Sequence, residues 1–250
     1  MPARFHVPLP FAAGDTLELP AGPARHVQVL RLQPGDALTL FNGEGGQWQA
    51  EVLEMGRKTV SVRLIAPEAA DEPELPQRVT LALGMPANER MDFLIEKATE
   101  LGVAAVQPLV CERSVLRLSG ERAERKREHW HGVAVAASEQ CGGTRVPLIH
   151  PVMTLTEWLR SAGASDAAGC RMVLSTGTAP ALEAVAAGVA KPAATPTYTL
   201  LSGPEGGLSA GEEAAARVAG FAPASLGPRI LRADTAPLAA LVRLTVPAPR

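Results

Sequence analysis

Four short stretches near the start of the chain alternate apolar and polar residues, the period of a strand with one face buried. They are "DTLEL" (15–19), "DALTLF" (36–41), "QWQAEVLEM" (47–55) and "TVSVRL" (59–64). Turn signals separate them at Pro34-Gly35, at Asn42-Gly43 and at Gly56-Arg57-Lys58, the last suited to a hairpin. Short strands at this spacing predict a small β-barrel over residues 1–68. The stretch "APEAADEPELPQR" (66–78) is rich in Pro, Glu and Ala and has no period. It predicts an inter-domain linker, drawn here as 69–78.

Beyond the linker the period changes. "VTLALG" (79–84) is the continuous apolar run of a strand buried on both faces. Met91, Leu94, Ile95, Ala98 and Leu101 then recur at helical spacing, with Asn88 as the expected N-cap and Gly102 as the stop. "VAAVQPLV" (103–110) reads as a second buried strand. A helix is predicted from about Gly120 to Gln140, with Trp130, Val133, Ala134, Ala137 and Cys141 on one face and Gly142-Gly143 ending it. Further strands are expected at "RMVLS" (171–175) and "TLLSG" (199–203). Strands alternating with helices predict an α/β domain with a mainly parallel sheet over 79–250. No internal repeat is visible.

The net charge of −2 hides an uneven distribution. Residues 66–77 hold four acids and no base, so the rest of the chain is slightly basic. Bulk charge therefore neither supports nor excludes a nucleic-acid partner; only a local basic patch can. The three cysteines, Cys111, Cys141 and Cys170, are odd in number and widely spaced. They suit buried, reduced thiols better than a disulfide framework or a zinc site. His129 and His131 are two apart on a helix, face apart, and cannot share a metal. No metal is expected. The opening "MPARFHVPLPF" lacks the apolar segment of a signal peptide, and no apolar run is long enough to span a bilayer. The expectation is a cytoplasmic protein without a membrane partner. The run "ERAERKRE" (121–128) mixes signs and reads as a solvated helix face.

"LLSGPEGGLSAGEE" (200–213) carries the first chemical signal: an apolar run, a glycine loop and a helix start. Ser209 and Glu212 form a capping-box pattern, which puts the loop amides at a helix N-terminus. A phosphate loop is excluded by three features. No Gly-Lys-Ser/Thr follows, Pro204 has no N–H to offer, and Glu205 places a carboxylate where a polyphosphate would lie. The loop suits a neutral or cationic ligand; the plainer alternative is a tight turn between strand and helix. "SLGPRILRADTAPLAAL" (225–241) is a second such loop, with Arg229 and Arg232 flanking an apolar pair and Asp234-Thr235 opening an Ala-rich terminal helix. Two such loops at the ends of neighbouring strands are where open α/β sheets bind ligands. Their small apolar floor suits an adenine ring and a methionine chain.

Taken together, "RMDFLIEKATELGV", "CERSV", "ASEQ", "LLSGPEGGLS" and "LGPRILRADTAPLAAL" resemble the RsmE family of 16S ribosomal RNA uracil-N3 methyltransferases, in the SPOUT superfamily. "RFHV", "HVQVLRLQPGD" and "FNGEGGQW" resemble the same family's PUA-like RNA-binding barrel. The resemblance covers nearly the whole chain in order. It implies S-adenosylmethionine as cofactor, a trefoil-knotted second domain, a homodimer, and 16S ribosomal RNA of the small subunit as partner. Periodicity alone gives no hint of a knot. The resemblance places the cofactor on Leu174, Ser175, Thr176, Leu201, Gly203, Pro204, Glu205, Gly206, Gly207, Leu226, Gly227, Ile230, Leu231 and Ala236. It places RNA on Arg4, His26, Arg31, Arg90, Lys97 and Arg113. For Lys97 the plain alternative is an ion pair with Glu96 or Glu100.

The chain departs from the family pattern at Ala87, where a lysine is usual, at Cys141, where serine is common, and in "GGTR". It also departs at Asp234 for glutamate and at Pro237 for a small residue. The chemistry implied is methyl transfer to uracil N3, with Arg229 or Arg232 beside the developing imidate as the catalytic cation. Other readings stay open: a SPOUT-type enzyme acting on another RNA or on ribose, a non-catalytic RNA-binding or ribosome-assembly factor, and a metabolic nucleotide-binding enzyme.

Overall fold

The computed structural model describes residues 3–69, 75, 77–165, 169–188 and 195–245. It divides into two compact units, Met1–Pro73 with Val135–Val146, and Glu74–Ala134 with Pro147–Arg250. Most of the expected linker, 70–74 and 76, lies outside the described residues.

The first unit is built on β1 (Ala3–His6), β2 (Thr16–Glu18), α1 (Ala21–Val29), β3 (Ala37–Phe41), β4 (Gln47–Met55) and β5 (Val60–Glu68). The strands form one sheet in the order β1-β3-β4-β5-β2, parallel at β1–β3 and antiparallel elsewhere. The predicted alternation is visible side chain by side chain. Val60, Val62 and Leu64 are buried while Arg63 and Ile65 point outward. They join Phe5, Leu38, Leu40, Val52, Ala24 and Val27 in one core, so α1 is covered by two of its own residues only. That thin apolar face, with Gly22 and Pro23 in the first turn, hides α1 from a periodicity reading.

The second unit contains β6 (Arg78–Gly84), α2 (Asn88–Glu100), β7 (Ala105–Val110), β8 (Leu148–Ile149), β9 (Met153–Thr154), α4 (Leu155–Ser165) and β10 (Cys170–Leu174). It continues with α5 (Leu182–Ala187), β11 (Thr197–Ser202), α6 (Ala210–Val218), β12 (Ala222–Ala224) and α7 (Thr235–Thr245). The long helix α3 (Gly120–Cys141) begins here and gives its last residues to the first unit. Every pairing in the sheet is parallel, in the order β12-β10-β11-β6-β7-β8 with β9 also on β7. Ala82, Leu109, Val173 and Leu201 pack with Leu155, Leu159, Leu208, Ala216 and Phe221 beneath α4 and α6. Their strand neighbours Leu81, Leu83, Met172 and Leu200 are also buried and point to the opposite side. A sheet covered on both faces explains the unbroken apolar runs.

Two local expectations change. Helix α2 starts at Asn88, and its N-cap is Ala87, which has no capping oxygen. The stop is as expected: Gly102 follows Leu101 with φ +78, a conformation that favours glycine. On α3, Trp130, Ala134 and Ala137 are buried, but Cys141 is exposed at the helix end. Cys111 and Cys170 are buried as expected. Burial first, and then the charge of Glu212, pushes the Cys111 thiol up to about 12, so it stays protonated and inert at neutral pH. The mixed-sign run carries the pairs Arg127–Glu124 and Arg125–Glu121 on its solvent side.

Candidate functional site

Three loops emerge on one edge of the second sheet. β12, β10 and β11 are adjacent and parallel, so their C-terminal ends align. The two loops read from sequence are therefore not on neighbouring strands. β10 stands between them and places Leu174, Ser175 and Thr176 in the middle. Backbone bonds stitch this middle loop to the β12 loop: Ser175 N–H to Ala224 O (3.0 Å), Leu182 N–H to Ser225 O (3.0 Å) and Ser225 N–H to Pro180 O (2.8 Å).

The glycine loop after β11 closes through Gly207 N–H to Pro204 O (2.8 Å), with Gly207 at φ +68. Both halves of the capping box form: Glu212 N–H donates to Ser209 Oγ (3.2 Å), and Ser209 N–H donates to Glu212 Oε2 (2.9 Å). The buried Glu212 carboxylate also accepts from Glu112 N–H (2.8 Å), which ties the loop to the segment after β7. Arg113 completes that tie by donating to Gly206 O (2.9 Å) and Leu208 O (3.3 Å).

Glu205 reaches the other way. Its Oε1 accepts from Ala87 N–H (2.9 Å) and lies 3.6 Å from Arg90 Nη1. The third residue of α2 is Arg90, so the helix has no glutamate of its own to bond its N-cap amide. Glu205 supplies that bond from the glycine loop. Of the expected cofactor residues, Glu205 thus has its carboxylate engaged, and Leu201 has its side chain in the core. Only backbone atoms of these two are left to meet a ligand.

Two further glycines set how closely the backbone packs. A Cβ on Gly203 would lie 2.7 Å from Leu208 N, and one on Gly84 would lie 2.5 Å from Pro204 Cδ. Gly84 was not singled out from sequence; the available signal was a glycine closing a buried strand. In the β12 loop, Gly227 has φ +122, and nothing lies within 4 Å of where its Cβ would be. Leu226 O accepts from Arg243 (3.2 Å), which also pairs with Glu183 (2.7 Å). Ile230 is 84% exposed, whereas Leu231 and Ala236 are half-buried. Arg229 and Arg232 are exposed, and neither guanidinium has a partner among the described residues.

The expected RNA residues are divided between the units. In the first, Arg4 donates to Gly142 O (2.8 Å), Gly143 O (3.1 Å) and Gln47, and its guanidinium lies over the Phe41 ring. His26 stands edge-on to Phe5 and is exposed. Arg31 closes α1 as a left-handed residue, φ +58, with Arg31 N–H to Gln28 O and Leu32 N–H to Val27 O. That is a helix stop at which glycine is usual; no other non-glycine described residue has positive φ. In the second unit, Lys97 is held by Glu96 (2.6 Å) and Glu100 (2.7 Å), the plain alternative given above. Glu100 first, then Glu96, keeps its ammonium above the usual range.

Among the described residues no group of three or more His, Cys, Asp or Glu side chains is placed to hold a metal, and no helix is long and apolar enough to cross a membrane.

Residues 73–245 match the RNA methyltransferase domain family, and residues 24–65 match the RNA methyltransferase PUA domain. The chain is 33% identical over 217 residues to a ribosomal RNA small subunit methyltransferase E of Synechocystis, covering 87% of this chain and 68% of that one. It is 31% identical to the Bacillus subtilis protein of the same name, covering 86% and 83%. The crystal structure of ribosomal RNA small subunit methyltransferase E from Neisseria gonorrhoeae, bound to S-adenosyl methionine, superposes with a TM-score of 0.86. That protein is 30% identical, and the match covers 97% of this chain and 96% of that one. The chain belongs to the ribosomal RNA small subunit methyltransferase E family.

Proposed function

We propose that this protein uses S-adenosylmethionine to methylate N3 of a specific uridine in 16S ribosomal RNA. The observation that carries this reading is the alignment of three loops on the shared edge of β12, β10 and β11. The residues there fit the cofactor. Gly207 and Gly227 have positive φ with open space where a Cβ would project, so bare backbone faces outward. The glycine loop carries no lysine, and among the described residues no cluster of metal-ligating side chains is present to serve a polyphosphate. The holding residues are Leu174 to Thr176, Gly203 to Gly207, Leu226, Gly227, Leu231 and Ala236, with Leu201 and Glu205 contributing backbone. Ile230, the most exposed of the set, reaches a ligand only if the β12 loop folds over it.

When bound, the cofactor supplies an electrophilic methyl group on a sulfonium. The chain's own part is to hold the uracil in line with that methyl, an orientation effect of about 7–11 kcal/mol when complete. N3 is an imide nitrogen and becomes nucleophilic as its proton leaves. Arg229 or Arg232, beside the uracil carbonyl oxygens, stabilises the resulting charge and lets the proton pass to water. N3 is buried in pairing within a duplex, so the target base must be unstacked.

In this reading, residues 1–68 dock RNA through Arg4, His26 and Arg31, residues 69–78 link, and residues 79–250 carry the chemistry beside Arg90, Lys97 and Arg113. Because Arg4, Arg90, Lys97 and Arg113 already hold protein groups, His26 and Arg31 are the first to reach phosphates. The insertion of β11 between β6 and β10 suits a trefoil-knotted chain. Two copies working as a homodimer in the cytoplasm complete the proposal.

The test is calorimetry with S-adenosylmethionine, followed by nucleoside mass spectrometry of small-subunit RNA treated with enzyme and cofactor. Cofactor binding and N3-methyluridine are expected, from a sample that sediments as a dimer at micromolar concentration. Absence of cofactor binding would favour a non-catalytic RNA-binding factor. A methyl group on ribose or on another base would make it a different SPOUT-type enzyme, and an active monomer would remove the dimer.

A further inference from the structure

The second unit has a surface cavity of about 290 Å³ lined by Ala87, Val115, Leu116, Arg117 and Arg122. None of these belongs to the cofactor or RNA sets above. Its walls are of two kinds. Ala87, Val115 and Leu116 are apolar; Leu116 is buried, whereas Val115 is 79% exposed, unusual for a large aliphatic side chain. Arg117 and Arg122 supply two guanidiniums on exposed residues. Arg117 spends one donor on Glu112 O (2.7 Å) and keeps the others. Arg122 has no partner among the described residues. It also sits in the first turn of α3, where the helix dipole opposes a cation. The carboxylate that meets the Ala87 wall, Glu205, is engaged by Ala87 N–H and Arg90. An unneutralised cation held against a helix dipole, beside exposed apolar surface, is a local rule broken without a structural return.

We infer that this cavity holds one nucleotide of a single-stranded RNA, its phosphodiester on Arg117 and Arg122 and its base or ribose against Val115 and Leu116. The apolar wall accepts any base, and the arginines read only backbone charge, so the subsite sets the path of the strand rather than its sequence. Ala87 joins it to the proposed cofactor loop through a single hydrogen bond to Glu205 (2.9 Å), which puts the bound nucleotide next to the chemistry. The inference rests on the RNA-methyltransferase reading for the identity of the strand, but not for the existence of the site.

The experiment uses the full chain and a fluorescent decauridylate, with affinity followed by anisotropy at several salt concentrations. Arg117→Glu/Arg122→Glu is expected to weaken binding about tenfold or more and to flatten the salt dependence by about 0.7 per lost phosphate contact. The milder Arg117→Gln/Arg122→Gln should do the same to a smaller degree. Cofactor affinity by calorimetry should stay at the wild-type value in both, which shows the loop intact. Oligonucleotide affinity and salt slope within twofold of wild type, in both variants, would overturn the site. Displacement of the oligonucleotide by uridine monophosphate at the same concentration would overturn it too, because the cavity would then take a free nucleotide. A wild-type chain that binds the oligonucleotide through these arginines yet never methylates RNA would sink the functional reading and leave the site standing. Methylation by both variants at the wild-type KM would sink the site alone.

Discussion

Gly84→Val is expected to lower affinity for S-adenosylmethionine by about 100-fold or more, equivalent to ~2.7 kcal/mol. Gly84 has no positive φ, and valine is at home in a strand, so the backbone itself does not object. Space does. A Cβ there would sit 2.5 Å from Pro204 Cδ, 2.6 Å from Pro204 N and 3.0 Å from Cys111 Sγ. Cys111 lies in the core beneath α4 and α6 and cannot retreat. The Pro204 loop is the softer partner, held by Arg113, by Glu205 on Ala87 and by the capping box. Overpacking of this kind costs about 1–3 kcal/mol, and displacement of the loop absorbs most of it. Thermal unfolding should therefore stay cooperative while calorimetry loses the cofactor signal. Gly206→Ala is the milder contrast: its Cβ would meet Arg113 Cβ at 3.0 Å, a contact relieved by a shift of a few tenths of an ångström rather than by moving the loop. Wild-type cofactor affinity in Gly84→Val would show that the loop is only a turn.

The parts of the fold legible in the sequence were those with a strong local period. β4 ran over 47–55 as expected, and Val60, Val62 and Leu64 turned inward on schedule. The Ser209–Glu212 capping box also formed as read, because both partners sit in one turn. What escaped was set by partners distant in sequence. No local signal says that Glu205 will bond the amide of Ala87, 118 residues away, so Asn88 looked like the better cap. Nor does any period reveal that β10 separates β11 from β12, since strand order is a tertiary property. Cys141 continues the apolar stripe of α3 by spacing but falls on its last residue, where the face runs out and the side chain meets solvent. Site residues fared similarly. The glycine loop was visible as composition, whereas the hold of Arg113 on Gly206 and Leu208 needed coordinates to be seen.

Removing both candidate cations, Arg229→Ala/Arg232→Ala, is expected to cut kcat for methylation of small-subunit RNA by about 100- to 1,000-fold, the range for loss of a preorganised charge stabiliser. Both residues leave the β12 loop exposed, and neither guanidinium is spent on a carboxylate among the described residues, so both are available to substrate. The backbone around them is fixed even so: Arg232 O accepts from Thr235 N–H (3.0 Å) and Ala236 N–H (2.9 Å) as α7 begins. Truncating the side chains leaves those bonds intact, so cofactor affinity and thermal stability should not move. The pH profile separates a catalytic cation from a mere RNA contact. A guanidinium beside the uracil carbonyls favours the deprotonated imide and so lowers the pH at which N3 becomes reactive. Its loss should move the rising limb of kcat to higher pH, whereas loss of a phosphate contact should raise KM and leave the profile in place. Arg→Lys at the responsible position should recover part of the rate, since the charge returns without the planar fork. If the double variant keeps kcat within twofold and the profile unshifted, the imidate is stabilised by some other group, and neither arginine belongs to the chemistry.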